Sequence, residues 1–147
     1  DRLSRGLGDV YKRQMLNGAL GGLVAITAEP LMPSPLMAII IGGIGGALVF
    51  AGTELLVSLK IDDVVGAIPV HLIAGVWGTL AVPITNPDTS FGTQLLGTAS
   101  ICVFVFVVSF IIWAIMKATI GIRISEEAEK EGTDVAETGV IAYSIRD

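Results

Sequence analysis

Three long runs of apolar residues are the feature that most limits what this chain can fold into. They extend from about Leu36 to Leu59, from about Val64 to Ile84 and from about Leu95 to Met116. Each is about as long as the 20 or so apolar residues that an α-helix needs to cross the hydrocarbon core of a bilayer. Charged residues make up 16% of the chain, but most lie near its two ends. We therefore predict an all-α membrane protein whose helical bundle includes three full transmembrane helices.

A fourth apolar stretch, MLNGALGGLVAITA from Met15 to Ala28, is shorter. We interpret it as a transmembrane helix that is only partly present in this sequence, at 15–28; a re-entrant or interfacial segment is the alternative. The membrane region 15–116 then holds helices at about 15–28, 36–59, 64–84 and 95–116. The connections EPLMPSP and PITNPDTSFG are rich in residues that favour turns and end helices.

The two ends of the chain differ from this region in composition. Residues 1–14, DRLSRGLGDVYKRQ, are rich in charge and lack the apolar core of a signal peptide. We predict that they are a non-native or disordered segment, with an ordinary cytoplasmic arm as the alternative. Residues 117–147 form a polar tail, in which Ser125 can cap a short helix over EEAEKE.

The positions of Lys and Arg predict the orientation of the chain in the membrane. Lys60 and the basic residues of the tail lie close to predicted helix ends, whereas the loops at 29–35 and 83–92 contain neither Lys nor Arg. The positive-inside rule then places the C-terminus of this multi-pass protein on the cytoplasmic side of a plasma or inner membrane. The net charge of the chain is −5, and we predict no nucleic-acid partner.

Glycines in the second predicted helix indicate close helix packing. The stretch IGGIGGALVFAG contains the small-residue pairs Gly42 with Gly46 and Gly43 with Ala47. Small residues allow helix backbones to approach each other where lipid removes the usual hydrophobic driving force. We therefore expect this helix to be packed on more than one side.

His71 is the only histidine of the chain, and it lies about seven residues inside the third predicted helix. Ionisable side chains inside a membrane usually face the bundle interior or a cavity, and they often mark a transport route. On a continuous α-helix the small residues Ala67, Ala74, Gly75 and Gly78 share its face, leaving room for a partner helix or an open lane. A dry site favours the neutral ring. The alternative is a hydrogen bond to another helix, worth about 0.6 kcal/mol.

The start of this helix contains a proline and two carboxylates. Pro69 lacks an amide hydrogen, so we expect carbonyls around Val65 and Gly66 to lose their helical partners and to need others. Asp62 and Asp63 lie where a carboxylate can cap exposed amides, and we expect Asp62 to be the cap.

Enzymatic and metal chemistry find no support in the sequence. There is no second histidine, and Cys102 lies on another predicted helix, so no metal-ligand spacing is present. No arrangement for a nucleophile is visible either. We predict neither a metal nor a cofactor, and no enzymatic activity.

Four blocks of sequence resemble, in order, the C-terminal third of the ammonium transporter (Amt/Mep/Rh) family. They are NGALGGLVAITA, the glycine-rich helix, DDVVGAIPVHLIAGVWGTLA and TIGIRISEEAEKEGTDVAETGVIAY. The resemblance covers Met15 to about Tyr143. It implies a fragment of an eleven-helix fold that forms homotrimers with a pore in each subunit and has a cytoplasmic C-terminus.

The resemblance also implies roles for single residues. His71 matches the second histidine of the family's pore pair, beside which ammonium is thought to lose its proton and pass as ammonia. Asp63 matches the second aspartate of the family's DD motif, so a structural or conduction role near the pore is implied for it and its neighbours Asp62, Ala67 and Gly75.

The sequence departs from the family pattern in several places. Pro69 and Leu72 stand where many members have glycine, and ETGV stands in the tail where some bacterial members have a His-Gly-Glu pattern. In the family that tail docks on neighbouring subunits and responds to a PII signal protein. The family's first pore histidine, recruiting aspartate and gating phenylalanines belong to earlier helices.

The function predicted from the sequence is therefore transport of ammonium or ammonia, by a chain that does not conduct alone. One alternative is an ammonium sensor or regulatory protein of the same superfamily. Another is a small structural membrane subunit, which predicts an intact first helix.

Overall fold

The protein is almost entirely helical. The computed structural model describes the backbone of residues 2–31 and 34–141, and the side chains of residues 14–31 and 34–141. The helices are α1 (Arg2–Ile26), α2 (Pro35–Ser58), α3 (Ala74–Thr85), α4 (Phe91–Thr119) and α5 (Glu126–Glu131). A π-helical turn at Ile68–Ile73, called the π-turn below, leads directly into α3, and a second π-helical segment covers Asp134–Thr138. No strand occurs within the described ranges, which confirms the predicted all-α class.

Three helical segments are long and apolar enough to cross a membrane. They are Pro35–Ser58, Ile68–Thr85 and Phe91–Thr119, whereas Gln14–Ile26 is a shorter apolar helix. The prediction of three full transmembrane helices and one shorter one is confirmed in length and composition. The chain is thus a membrane protein.

The ends of several helices differ from those expected from the sequence. The helix predicted at 64–84 begins at Ile68 and not at Val64. The reason is that Gly66 has a φ of +78°, a value that no α-helix contains. The helix predicted at 95–116 begins at Phe91 and not at Leu95. Just before Phe91, the Ser90 hydroxyl accepts a hydrogen bond of 3.2 Å from the Thr93 amide. Helix α1 begins at Arg2, so residues 2–14 have helical backbone; their predicted non-native origin stays a prediction.

The chain forms two compact units, Asp1–Cys102 and Val103–Asp147. In the first unit α1, α2, the π-turn and α3 pack against one another around two small clusters of buried side chains. The first cluster contains Ala25, Ile41 and Ala81, and the second contains Val49, Val70 and Ala74.

Helices α1 and α2 meet along a line of glycines, called the glycine seam below. A Cβ atom added to Gly46 would lie 2.9 Å from the Gly18 carbonyl oxygen, and one added to Gly22 would lie 3.0 Å from that of Gly42. A side chain at these positions would force the two backbones apart, which favours glycine along the seam. The close packing predicted at Gly42 and Gly46 is therefore confirmed.

The other face of α2 is divided between contact and open space. Gly52 faces Pro69 and Ile73 of the π-turn, so α2 is packed on a second side as expected. A Cβ atom on Gly43 would meet nothing within 4 Å, and Ala47 is exposed. The predicted packing pair of Gly43 and Ala47 is wrong for the described residues, because that face of α2 has no neighbour among them.

The second unit contains the rest of α4 and the polar tail. The rings of Phe106 and Phe110 stack on α4 with their centroids 6.3 Å apart. Ser125 caps α5, because its hydroxyl accepts a hydrogen bond of 3.2 Å from the Ala128 amide, and this confirms the predicted cap. Residues 142–147 of the predicted tail, with the end of the family resemblance at Tyr143, lie outside the described residues.

Candidate functional site

His71 lines a groove between α3 and the first half of α4, within the first unit of the chain. The groove has a volume of about 300 Å³. On the side of the π-turn and α3 its lining includes His71, Gly75 and Thr79, and on the side of α4 it includes Gln94, Thr98 and Cys102. Apolar side chains supply much of the remaining lining, with Leu72, Val76 and Ile101 among them.

The small residues expected around His71 divide between two faces. Gly75 lines the groove beside His71, so it leaves the open lane that the sequence allowed. Ala74 is fully buried with Val49 and Val70, and a Cβ atom on Gly78 would collide with the Ala25 backbone. Ala74 and Gly78 therefore accommodate a partner helix, which was the other expectation.

The π-turn explains why these residues divide in this way. The Ala74 amide donates to the carbonyl oxygens of both Pro69 and His71. Its bond to Pro69 spans five residues instead of four, which defines a π-helical turn. The turn adds a residue ahead of α3, so the α-helical spacing assumed for the His71 face does not apply to it. Such turns occur often at functional sites.

Asp63 caps the start of the helix that carries His71. Its Oδ1 accepts hydrogen bonds of 3.1 Å from the Gly66 amide and 2.9 Å from the Ala67 amide, and its Oδ2 accepts one of 2.8 Å from the Ile68 amide. A carboxylate that satisfies several amides at a helix start also complements the helix dipole. The expectation that Asp62 is the cap is wrong. Asp62 is exposed and makes no hydrogen bond to any described residue, because the backbone turn at Gly66 folds the amides over Asp63.

Only one of the two carbonyls that Pro69 was expected to free, that of Val65, lacks its helical partner, and a side chain of another helix replaces it. The Val65 carbonyl oxygen accepts a hydrogen bond of 3.0 Å from Nδ2 of Asn17 on α1. The Gly66 carbonyl oxygen accepts one of 3.1 Å from the Val70 amide. The expectation is confirmed for Val65 and wrong for Gly66, because the bond from the Val70 amide is the ordinary α-helical one between residues four apart. The side chain that pairs the Val65 carbonyl was not foreseen. Only the presence of an amide side chain within the apolar stretch 15–28 could have drawn attention to Asn17.

The polar groups of the groove are sparsely paired. The His71 imidazole is exposed and makes no hydrogen bond within the described part of the chain, so the alternative of a bond across to another helix has no partner there. The Thr79 hydroxyl donates to the Gly75 carbonyl at 2.9 Å. Oγ1 of Thr98 is buried and, among the described atoms, has no partner at all.

This arrangement suits a small polar molecule better than a metal ion. A neutral imidazole offers one donor and one acceptor nitrogen, and the apolar groove walls disfavour a free ion. Among the side chains that the structure describes, those of residues 14–31 and 34–141, no three His, Cys, Asp or Glu residues cluster in a way that could hold a metal. Asp63 and Ala67 lie together at the helix start, while His71 and Gly75 lie together in the groove.

A bundle of membrane-length helices with one imidazole on an apolar groove defines a multi-pass membrane protein. Residues 8–143 match the family model described as Ammonium Transporter Family. The chain therefore belongs to the ammonium transporter family. The match begins within the segment 1–14.

Individual relatives agree with the family match. Sll1017 of Synechocystis sp., provisionally named an ammonium transporter, is 42% identical over 126 residues, which are 84% of this chain and 28% of the relative. Ammonium transporter Amt1 of Haloferax mediterranei is 38% identical, over 88% of this chain and 26% of its own length. Ammonium transporter Amt2 of Archaeoglobus fulgidus is 36% identical, over 86% of this chain and 31% of its own length. The chain thus spans about a quarter to a third of the length of these relatives.

Proposed function

We propose that this chain takes part in moving ammonium or ammonia across a plasma or inner membrane, with His71 lining the route. The observation that carries the proposal is an imidazole without a partner among the described residues, facing a groove of about 300 Å³. Membership of the ammonium transporter family and the names of the relatives support the choice of substrate.

The chemistry of the groove favours ammonia over the ammonium ion. Moving a bare cation past apolar walls is costly because the ion loses its hydration, whereas a neutral molecule loses much less. A neutral imidazole can accept a hydrogen bond or a proton from ammonium, and it can donate one to the lone pair of ammonia. His71 would therefore favour the neutral molecule, while the proton moves separately.

We further propose that this chain supplies only part of the wall of the route. The groove is open, and α4 buries none of its described residues within the chain, so its apolar surface is available to lipid and to further helices. In this proposal additional helices of a longer protein close the route, three copies form a homotrimer, and the chain alone does not conduct. No catalytic step belongs to this function.

The polar tail completes the proposal. With Lys60, Lys117 and Arg123 on the cytoplasmic side, the tail with α5 would lie in the cytoplasm. There it is the segment available for contact with neighbouring subunits or with a PII signal protein.

A transport assay on a joined protein tests the role of His71. Residues 15–147 would replace the matching part of the Bacillus subtilis ammonium transporter, which is 35% identical over 144 residues, in cells that lack their own ammonium transport. We expect methylammonium uptake that changes roughly 10-fold or more in His71→Ala, a difference of about 1.4 kcal/mol in the barrier. The matched control is Ile84→Ala, an exposed position on α3, with protein amounts equalised by immunoblot.

Two outcomes would contradict the proposal. Unchanged rate and selectivity in His71→Ala would make His71 a structural residue. Robust uptake by the 147-residue chain alone would show that no further helices are needed. A joined protein that restores an ammonium-dependent cellular response without uptake would instead support the sensor alternative.

A further inference from the structure

The helix that carries His71 does not start as a regular α-helix, and its first turn is held by the Asp63 carboxylate that precedes it and by a side chain of α1. The amides of Gly66, Ala67 and Ile68 donate to Asp63, and the Val70 amide donates to the Gly66 carbonyl. Pro69 has no amide to donate. Every backbone amide from Gly66 to Val70 is thus accounted for before the π-turn closes on Ala74.

The Val65 carbonyl oxygen receives its hydrogen bond from a side chain of another helix. In an α-helix it would accept from residue 69, but residue 69 is the proline. Asn17 of α1 donates to it instead, at 3.0 Å. A carbonyl left unpaired in a membrane would cost several kcal/mol by the usual estimate, so this contact strongly favours the bent backbone over alternatives that remove it.

Asn17 also fits the shape of the chain at this point. Gly66 has a φ of +78°, and a Cβ atom there would collide with Nδ2 of Asn17. The backbone therefore passes directly over the Asn17 amide, which only glycine permits. Asn17, Val65 and Gly66 form a fitted contact that lies between α1 and the start of the π-turn.

We propose that Asn17 is a positioning residue: its contact with Val65 holds the π-turn and so keeps the His71 imidazole on the groove. If the π-turn relaxed to an α-helix, the loss of its extra residue would rotate the preceding residues by up to about 100° relative to α3. Gly75 and Thr79 would stay on the groove while His71 turned away from it. The consequence for transport, though not the contact itself, rests on the proposed function.

The single histidine makes this testable in the 147-residue chain, purified with a tag free of histidine and placed in lipid nanodiscs. Chain labelled at histidine gives one imidazole NMR signal. We expect that signal to shift or split in Asn17→Ala, and the amides of Ala67, Ile68 and Val70 to exchange roughly 10-fold faster with solvent. The matched control is Asn86→Ala, which removes an asparagine bonded to the Asp88 amide in a loop.

Asp63→Asn is a second variant that keeps the size of the side chain while weakening the cap on the same turn. We expect it to move the imidazole signal in the same direction as Asn17→Ala, whereas Asp62→Asn, which alters a carboxylate with no described partner, leaves the signal unchanged. If Asn17 had only a structural role, Asn17→Ala would make the chain easier to unfold without moving the imidazole signal. That outcome would overturn the proposal.

Methylammonium uptake by the joined protein provides the last test of the proposal. If Asn17 acts through His71, Asn17→Ala should lower uptake in the parent but have no further effect in His71→Ala, since the two substitutions then remove one shared contribution. Fully additive effects would contradict the proposal. If His71→Ala leaves uptake unchanged, the proposed function fails, while the NMR and exchange measurements still decide whether Asn17 holds the turn.

Discussion

The indole Nε1 of Trp77 donates a hydrogen bond of 3.0 Å to the backbone carbonyl oxygen of Ile41, joining α3 to α2 across 36 positions of sequence. A carbonyl oxygen has two lone pairs, so this bond adds to the one that Ile41 makes within its helix. Trp77 also packs against the buried cluster of Ala25, Ile41 and Ala81. The contact therefore fixes the position of α3 along α2.

Trp77→Phe should lower the free energy of unfolding by about 0.5–1.5 kcal/mol, the usual net value of one hydrogen bond. The phenyl ring retains much of the apolar contact while the donor is lost. Unfolding in detergent micelles by added denaturant measures the change. Trp113→Phe is the control, because Trp113 is 56% exposed and makes no hydrogen bond to the described residues. Equal losses in the two variants would contradict the assigned role.

Gly78→Ala should destabilise the first unit by about 1–3 kcal/mol, the usual cost of forcing extra volume into a packed interface. Its new Cβ atom would collide with the Ala25 backbone, so α1 and α3 would have to separate.

Gly43→Ala is the matched control for this substitution, because Gly43 lies in a helix and its new Cβ atom would have open space. We expect it to be neutral or to stabilise by up to about 1 kcal/mol through helix propensity. The same unfolding assay measures both variants. Two similar losses would show that the described contact between α3 and α1 does not decide the result.

Thr98→Val should leave the free energy of unfolding unchanged or raise it slightly. The Thr98 hydroxyl oxygen is buried without a partner among the described residues, and replacing such a group with a methyl of similar shape removes a desolvation penalty of about 1–3 kcal/mol. Thr79→Val, which breaks a bond to the Gly75 carbonyl, provides the comparison on the other side of the groove. A clear loss in Thr98→Val alone would indicate that the hydroxyl has a partner outside the described chain.

Ser125→Ala should release the first turn of α5. Loss of an N-cap hydroxyl usually costs about 1 kcal/mol, which corresponds to roughly 5-fold faster exchange of the Ala128 amide. Hydrogen exchange followed by mass spectrometry measures it. Thr133→Ala is the control, since Thr133 precedes the second π-helical segment without a side-chain cap. No change at Ala128 in Ser125→Ala would show that the cap contributes nothing there.

The sequence predicts the membrane helices well because they are specified by local composition. Predominantly apolar runs specify α2 and α4, which are long and apolar enough to cross a membrane. The glycine seam was also predictable in part, because small residues at every fourth position of a membrane helix usually indicate close packing against another helix.

The start of the helical segment that carries His71 was less predictable because it depends on backbone conformation and on distant contacts. A glycine can adopt a positive φ, but nothing in the sequence says that Gly66 does so. The choice between Asp62 and Asp63 follows from that bend. Asn17 lies 48 positions from Val65, and a single hydrogen bond over that distance leaves no periodic signal.

The glycine seam has a consequence for how the protein meets bilayers of different thickness. Alone, the short apolar part of α1, Gln14–Ile26, would adjust to a thick or thin membrane by changing its own tilt or by drawing lipid toward it. Joined by backbone contact to the 24-residue α2, it must tilt with that longer helix. Asn17 is next to Gly18 in the seam, so its side-chain amide would move with the pair of helices when a thicker or thinner bilayer changes their common tilt.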